Sequence, residues 1–231
     1  MSRRDKKTIV IAVGGSLLVP DDIDISFIKE LKKIVEKLIN ERGVKVALVI
    51  GGGKTARVYQ SALRKFPHVT KEDLDWVGIK SLLLNAELVL RAFLDLSPYP
   101  KVLEQPKDFR DFSESLFIVG AHEPGFSSDT DAVLFAEHLG ADEIINFSNT
   151  DYVYDKDPRK YPDANRLTSL TWDAYCSLIP HEWTPGLSTP FDPIASERAQ
   201  KLGMRVAILG ASLENLEHYL NGETFEGTII E

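Results

Sequence analysis

The chain has 231 residues, 43% of them hydrophobic, and a net charge of −8. That supports one large α/β core or two small ones. The acidic balance argues against nucleic acid as a main partner, since such proteins usually carry a basic face. No apolar run approaches the ~20 residues of a membrane span, so no membrane partner is expected. The single cysteine, Cys176, rules out an intrachain disulfide and suits a reducing cytoplasm.

Residues 1–7 are basic and run into a strand pattern over 9–13, not into a signal-peptide core. That strand ends in Gly14, Gly15 and Ser16. Apolar residues at helical spacing (Phe27, Ile28, Leu31, Ile34, Val35, Leu38, Ile39) predict a helix over 26–41, capped by Asp24 or Ser26. The unbroken apolar run over 44–50 reads as a buried parallel strand. Gly51-Gly52-Gly53-Lys54 follows it, and a helix is predicted over 55–65. A long helix is expected over 72–94 with a break near Gly78, then a short strand over 101–103.

A strand over 116–120 leads into the loop 121–129 and a helix over 130–139. Further strands are predicted over 143–147, 205–209 and 227–230. Further helices are predicted over 171–179, 193–202 and 213–220, the second with Asp192 as cap and Pro193 in its first turn. The proline-rich stretches 97–106 and 180–193 read as loops, and the second is long enough to suggest a function. No domain boundary is visible; a division into two lobes would fall near 121–145.

Strands alternating with helices predict a mainly parallel sheet with covering helices. Ligands in such sheets bind outside the carboxyl ends of the strands. Three strands that each end in a Gly- or Ser-rich loop therefore place those loops on one edge. Glycines there let the backbone approach a ligand closely, and the helices that follow offer free N–H groups and a positive dipole end. The expected ligand is a phosphate or a carboxylate.

Taken together, the motifs resemble the amino acid kinase superfamily, and within it the uridylate (UMP) kinases of archaeal type. Residues 14–20 (GGSLLVP) and 51–57 (GGGKTAR) resemble its two glycine motifs. Residues 75–80 (DWVGIK), followed by Asn85-Ala86, resemble its nucleoside-monophosphate segment. Residues 122–129 (HEPGFSSD) resemble its acceptor-phosphate loop, and 148–158 (SNTDYVYDKDP) its ATP segment. Asp192-Pro193 with Ala195, and Gly222-Glu223 with Gly227-Thr228, also match. The motifs span essentially the whole chain in the family's order.

The resemblance implies a single three-layer αβα domain over 1–231, the N-terminal half binding the acceptor and the C-terminal half ATP. It implies transfer of the γ-phosphoryl group of ATP to UMP with Mg²⁺, giving UDP and ADP, in a homo-oligomer; known enzymes of this type form hexamers. It puts ATP on Gly14, Gly15, Ser16, Gly53, Arg57, Ser148, Asn149, Tyr154 and Asp157. It puts UMP on Gly52, Asp75, His122, Glu123, Pro124, Gly125, Phe126, Ser127 and Ser128. Arg57, Asp129, Asp192 and Lys54 are the implied catalytic residues, and no protein metal cage is implied.

Elementary chemistry gives each role an ordinary alternative. Arg57, about one turn beyond Gly53, reaches back to a phosphate with bidentate contacts or lies on a solvated face. Asp75 accepts from ribose hydroxyls or caps a helix; Ser127 and Ser128 hold phosphate or cap the helix after them. Asp129, acidic at a phosphate site, is costly unless a cation or donor compensates. Tyr154 and Asp157 contact adenosine or form a turn.

The chain departs from the family at three places. Ala12 stands where many members have lysine, leaving Lys54 and Arg57 as candidate cations; Tyr152 replaces a usual glycine; and residues 128–132 (SDTDA) resemble an aspartate-kinase run. A kinase for another acceptor, a small carboxylate or an isoprenoid phosphate, and a nucleotide-binding protein used in sensing or storage are the alternative functions.

Overall fold

The computed structural model describes residues 7–97, 101–109, 115–121, 123–182, 187 and 189–231. Strands β1 (Thr8–Val13), β2 (Lys45–Ile50), β3 (Leu116–Val119), β4 (Glu143–Phe147), β8 (Arg205–Leu209), β9 (Thr228–Ile230) and β7 (Ser169–Leu170) form one sheet. Its order is β3-β2-β1-β4-β8-β9-β7. The first five strands in that order run parallel, and β9 lies antiparallel to β8. A two-stranded antiparallel ribbon pairs β5 (Val153–Tyr154) with β6 (Arg166–Leu167).

Two apolar clusters sandwich the sheet. One face packs on α5 (Ser128–Leu139), α6 (Trp172–Leu178) and α7 (Pro193–Leu202), with Val133, Phe135, Tyr175 and Ala199 buried. The other packs on α2 (Ile25–Arg42), α4 (Lys71–Ala92) and α8 (Leu213–Asn221), with Leu31, Val35, Leu90 and Leu216 buried. β2 is buried along its whole length, as expected for a parallel strand covered on both faces. The expected three layers are present. No helix among the described residues is long and apolar enough to cross a membrane.

Helix ends follow the sequence signals. The Asp24 side chain accepts from Phe27 N at 2.9 Å, and Asp192 accepts from Ala195 N at 2.9 Å. Two expectations need correction. α4 runs unbroken through Gly78; an interior glycine costs only ~1 kcal/mol against alanine, and the buried Leu74, Ile79 and Leu82 hold this turn in place. Residues 101–103 form no strand. Leu103 alone makes an isolated parallel bridge to Val119, because Pro100 and Pro106 withhold N–H donors on either side.

Register brings the loops together. Val13 pairs with Ile50 and with Phe147, and Phe147 pairs with Leu209. Hence Gly14, Gly51, Ser148 and Gly210 begin their loops at one level of the carboxyl edge. Gly14 N donates to Phe147 O (2.8 Å), Gly51 N to Val13 O (3.0 Å) and Ser148 N to Leu209 O (3.0 Å).

Two short helices start there, α1 (Gly15–Leu18) and α3 (Gly53–Leu63). A Cβ at Gly15 would stand 2.2 Å from Gly53 N and 2.4 Å from Gly51 O, while Gly53 has φ +57. Gly15→Ala should therefore lower unfolding free energy in urea by about 3 kcal/mol or more, since only backbone stands in the way. Gly43→Ala, at φ +63 with nothing within 4 Å of its Cβ, should cost only ~1 kcal/mol.

Candidate active site

The two glycine loops are stitched by more than their own contact. Buried Asn85 on α4 donates from Nδ2 to Gly51 O (3.1 Å) and Gly52 O (3.0 Å). Lys54 N reaches Val19 O at 3.3 Å. The loops are thus fixed before any ligand arrives, which is what a preorganised anion site requires.

Beside them lies a cavity of about 330 Å³, lined by Gly52, Gly53, Arg57, Asp75, Phe126, Ser127 and Ser128 together with Gln60, Gly78, Ile79, Leu82 and Ala121. Five of the nine residues assigned to the acceptor, Gly52, Asp75, Phe126, Ser127 and Ser128, thus share one cavity with Gly53 and Arg57. Gly125 joins them through its N–H, which donates to Asp75 Oδ2 at 3.1 Å. Burial raises the Asp75 pKa, partly offset by that donor. Glu123 instead lines a neighbouring hollow of about 530 Å³, which Phe126 separates from the cavity. Pro124 lines neither, and His122 lies outside the described residues.

Below the acceptor loop sits a cluster of carboxylates. Ser127 caps α5, its Oγ accepting from Asp129 N at 3.0 Å, and its hydroxyl donates to Asp192 Oδ2. Thr130 Oγ1 donates to the same oxygen at 3.2 Å. Asp129 Oδ2 accepts from Asp192 N (3.0 Å), and its Oδ1 from Asn146 Nδ2 (3.2 Å). Asp192 is buried and caps α7, so the amino ends of α5 and α7 meet across two acids. Burial, and then the Asp192 carboxylate, push the Asp129 pKa up to about 8. Tyr175 supports the arrangement from beneath: its hydroxyl donates to Phe191 O and accepts from Phe191 N, both at 2.7 Å.

On the other side of Gly14 lies the expected donor segment. A Cβ on Gly14 would stand 3.0 Å from Ser148 Cβ, and one on Gly210 would stand 3.0 Å from Asp151 Cβ. A hollow of about 530 Å³ opens there, lined by Asp151, Gly210, Ser212, Asn215 and Phe225. Ser148 Oγ accepts from Thr150 N and Asn149 is exposed. Tyr154 donates its hydroxyl to Asp151 at 3.2 Å. Tyr152 has no positive φ, so its backbone is relaxed. Its ring is buried, edge-on to Tyr154 and covered by the Arg166 guanidinium at 4.8 Å.

Two assigned residues stand apart. The Lys54 ammonium pairs with Asp21 and faces a shallow surface hollow instead of the cavity. Asp157 pairs with Arg159 at 3.0 Å and Lys160 at 3.9 Å in an exposed turn. Among the described residues, no group of three or more His, Cys, Asp or Glu side chains is arranged to hold a metal.

The model of the family described as "Amino acid kinase family" matches residues 7–210. The chain belongs to the amino acid kinase family. It is 37% identical to the uridylate kinase of Thermococcus onnurineus, covering 96% of this chain and 99% of that one. With the uridylate kinase of Methanococcus aeolicus it shares 32% identity over 96% and 98%. Its fold superposes on the crystal structure of uridylate kinase from Archaeoglobus fulgidus with a TM-score of 0.81 at 28% identity, covering 97% and 100%.

Three residues at the candidate site of this amino acid kinase, Asn146, Asn85 and Gln60, were given no role from sequence. Asn146 is a polar residue inside an apolar strand, a signal that a partner exists. Asn85 stood in a quoted motif without a role. Gln60, on the cavity wall, carried no signal.

The Asp129 shift yields a sign. Its folded pKa lies above the usual carboxylate value, so the native state binds more protons between about pH 4 and 8. Its contribution is full below pH 4 and is lost as pH rises through 8. Relative to the parent, Asp129→Asn should therefore gain on the order of a few kcal/mol between pH 5 and pH 8 in urea unfolding. A difference that is flat with pH would contradict the shift.

Proposed function

We propose that this protein transfers the γ-phosphoryl group of ATP to UMP, giving UDP and ADP, as an enzyme of pyrimidine nucleotide synthesis. The observation that carries the reading is the single cavity in which the glycine loops, Arg57, Asp75 and the Ser127–Ser128 hydroxyls meet. Glycine-loop N–H groups and a guanidinium suit phosphate oxygens, a carboxylate suits ribose hydroxyls, and the three line one cavity. Full-length similarity to proteins named uridylate kinase supports the same reading.

Phosphoryl transfer depends on positioning and charge neutralisation. The N-terminal half of one domain, through α3, α4 and the loop before α5, holds the acceptor. The C-terminal half, through the 148–154 segment and the loop after β8, holds ATP. Gly14 and Gly15 lie between them, where the phosphoryl group passes from ATP to UMP. Arg57 spreads charge from the equatorial oxygens. Asp192 ties the acceptor loop to α7 and keeps Ser127 in place, while Asp129 lies next to it. The buried Asp129 carboxyl, its pKa raised, and the adjacent Asp192 fit a cationic neighbour: Mg²⁺ brought with ATP would be faced by these two side chains and would supply charge neutralisation.

Exposed apolar side chains on α3 and α4, among them Val58, Tyr59, Leu84 and Leu88, support a homo-oligomer, with a hexamer as the proposed assembly. The free thiol Cys176 supports a cytoplasmic setting.

Purified protein should form UDP from UMP and Mg–ATP and should not phosphorylate aspartate, acetylglutamate or an isoprenoid phosphate at comparable rates. Arg57→Ala should lower kcat/KM for UMP by roughly 10²–10³, the loss typical of one preorganised donor. Because Arg57 is exposed, its melting temperature should stay within about 2 °C of the parent. Activity on a carboxylate in place of UMP would overturn the reading.

A further inference from the structure

Gln60 belongs to none of the motifs, yet it lines the acceptor cavity with Arg57 and Asp75. It lies one turn beyond Arg57 on α3, and residues three apart share a helix side. Relative to Gly53 it sits roughly 10 Å further along the helix axis, toward the Asp75 end of the cavity.

Its amide is anchored. Nε2 donates to Leu74 O at 2.9 Å, and Leu74 immediately precedes Asp75. A carbonyl oxygen only accepts, so the nitrogen must face α4, which fixes the direction of Oε1. Oε1 makes no hydrogen bond among the described residues and is not among the buried unpaired atoms.

Gly78 makes the room. A Cβ there would stand 2.7 Å from Gln60 Nε2 and 3.7 Å from its Cδ, with nothing else within 4 Å. A glycine inside α4 therefore leaves space that only the Gln60 amide fills.

Asp75, which lines the same cavity, has already committed Oδ2 to Gly125 N. One carboxylate oxygen and one amide oxygen remain as acceptors at this end. A vicinal diol presents two hydroxyl donors. We propose that Gln60 is a specificity-determining residue of the acceptor site: Oε1 accepts from one sugar hydroxyl while Asp75 accepts from the other, so that the pair reads the ribose diol. The proposal rests on the reading of this cavity as the UMP site.

The test is steady-state kinetics of the full chain with UMP, 2′-deoxy-UMP and 3′-deoxy-UMP. Gln60→Leu should raise KM for UMP about tenfold, leave kcat, KM for ATP and melting temperature nearly unchanged, and cut the preference over one deoxy analogue by the same factor. A site built to bond a hydroxyl discriminates in this way. Gly78→Ala should reproduce the effect in the parent by displacing the amide, and should add nothing in a Gln60→Ala background. Preferences over both analogues that survive Gln60→Leu would overturn the proposal while leaving the UMP reading intact. So would a Gly78→Ala defect that persists without Gln60. A parent that does not turn over UMP would overturn both.

Discussion

The close approach of the Gly15 and Gly53 backbones is the constraint on which the rest of the molecule depends. A Cβ on either would come within 2.2 Å of the other's backbone. Neither helix could then begin where it does. α1 and α3 would separate, and with them the ends of β1 and β2. Parallel register brings the loops to the same level, and Asn85 fastens the second loop through Gly51 O and Gly52 O. The fold's central strands and its anion site are therefore one feature seen from two directions.

The carboxylate cluster shows the opposite economy. Asp129 and Asp192 stand at the amino ends of two helices, where dipoles and free N–H groups favour negative charge. Hydrogen bonds from Asn146, Thr130 and Ser127 add to that. Even so, burial and mutual repulsion leave Asp129 with a pKa of about 8. A carboxyl perturbed in this way depends on the surrounding structure, and perturbed carboxyls gather where charge is handled.

Much of the fold was legible because its signals were local. Apolar runs ending in glycine marked β1, β2 and β3, and Asp24 and Asp192 marked the starts of α2 and α7. The short β5, β6 and β7 were not legible: two residues each carry no periodicity, and their pairing is decided by the chain around them. Of the residues assigned to the acceptor, Asp75, Phe126, Ser127 and Ser128 line one cavity, and Gly125 donates to Asp75. Lys54, which follows the three glycines, pairs with Asp21, thirty-three positions away. Arg166, from the next ribbon strand, covers the Tyr152 ring. Long-range partners of this kind leave no trace in spacing.

If both nucleotides meet at the interlocked glycine loops, a bisubstrate compound that joins uridine and adenosine through a polyphosphate bridge should inhibit competitively against UMP and against ATP alike, and should bind more tightly than either nucleotide alone. Competition against only one of the two would contradict it, because the two sites would then not share the cradle of Gly14, Gly15, Gly52 and Gly53.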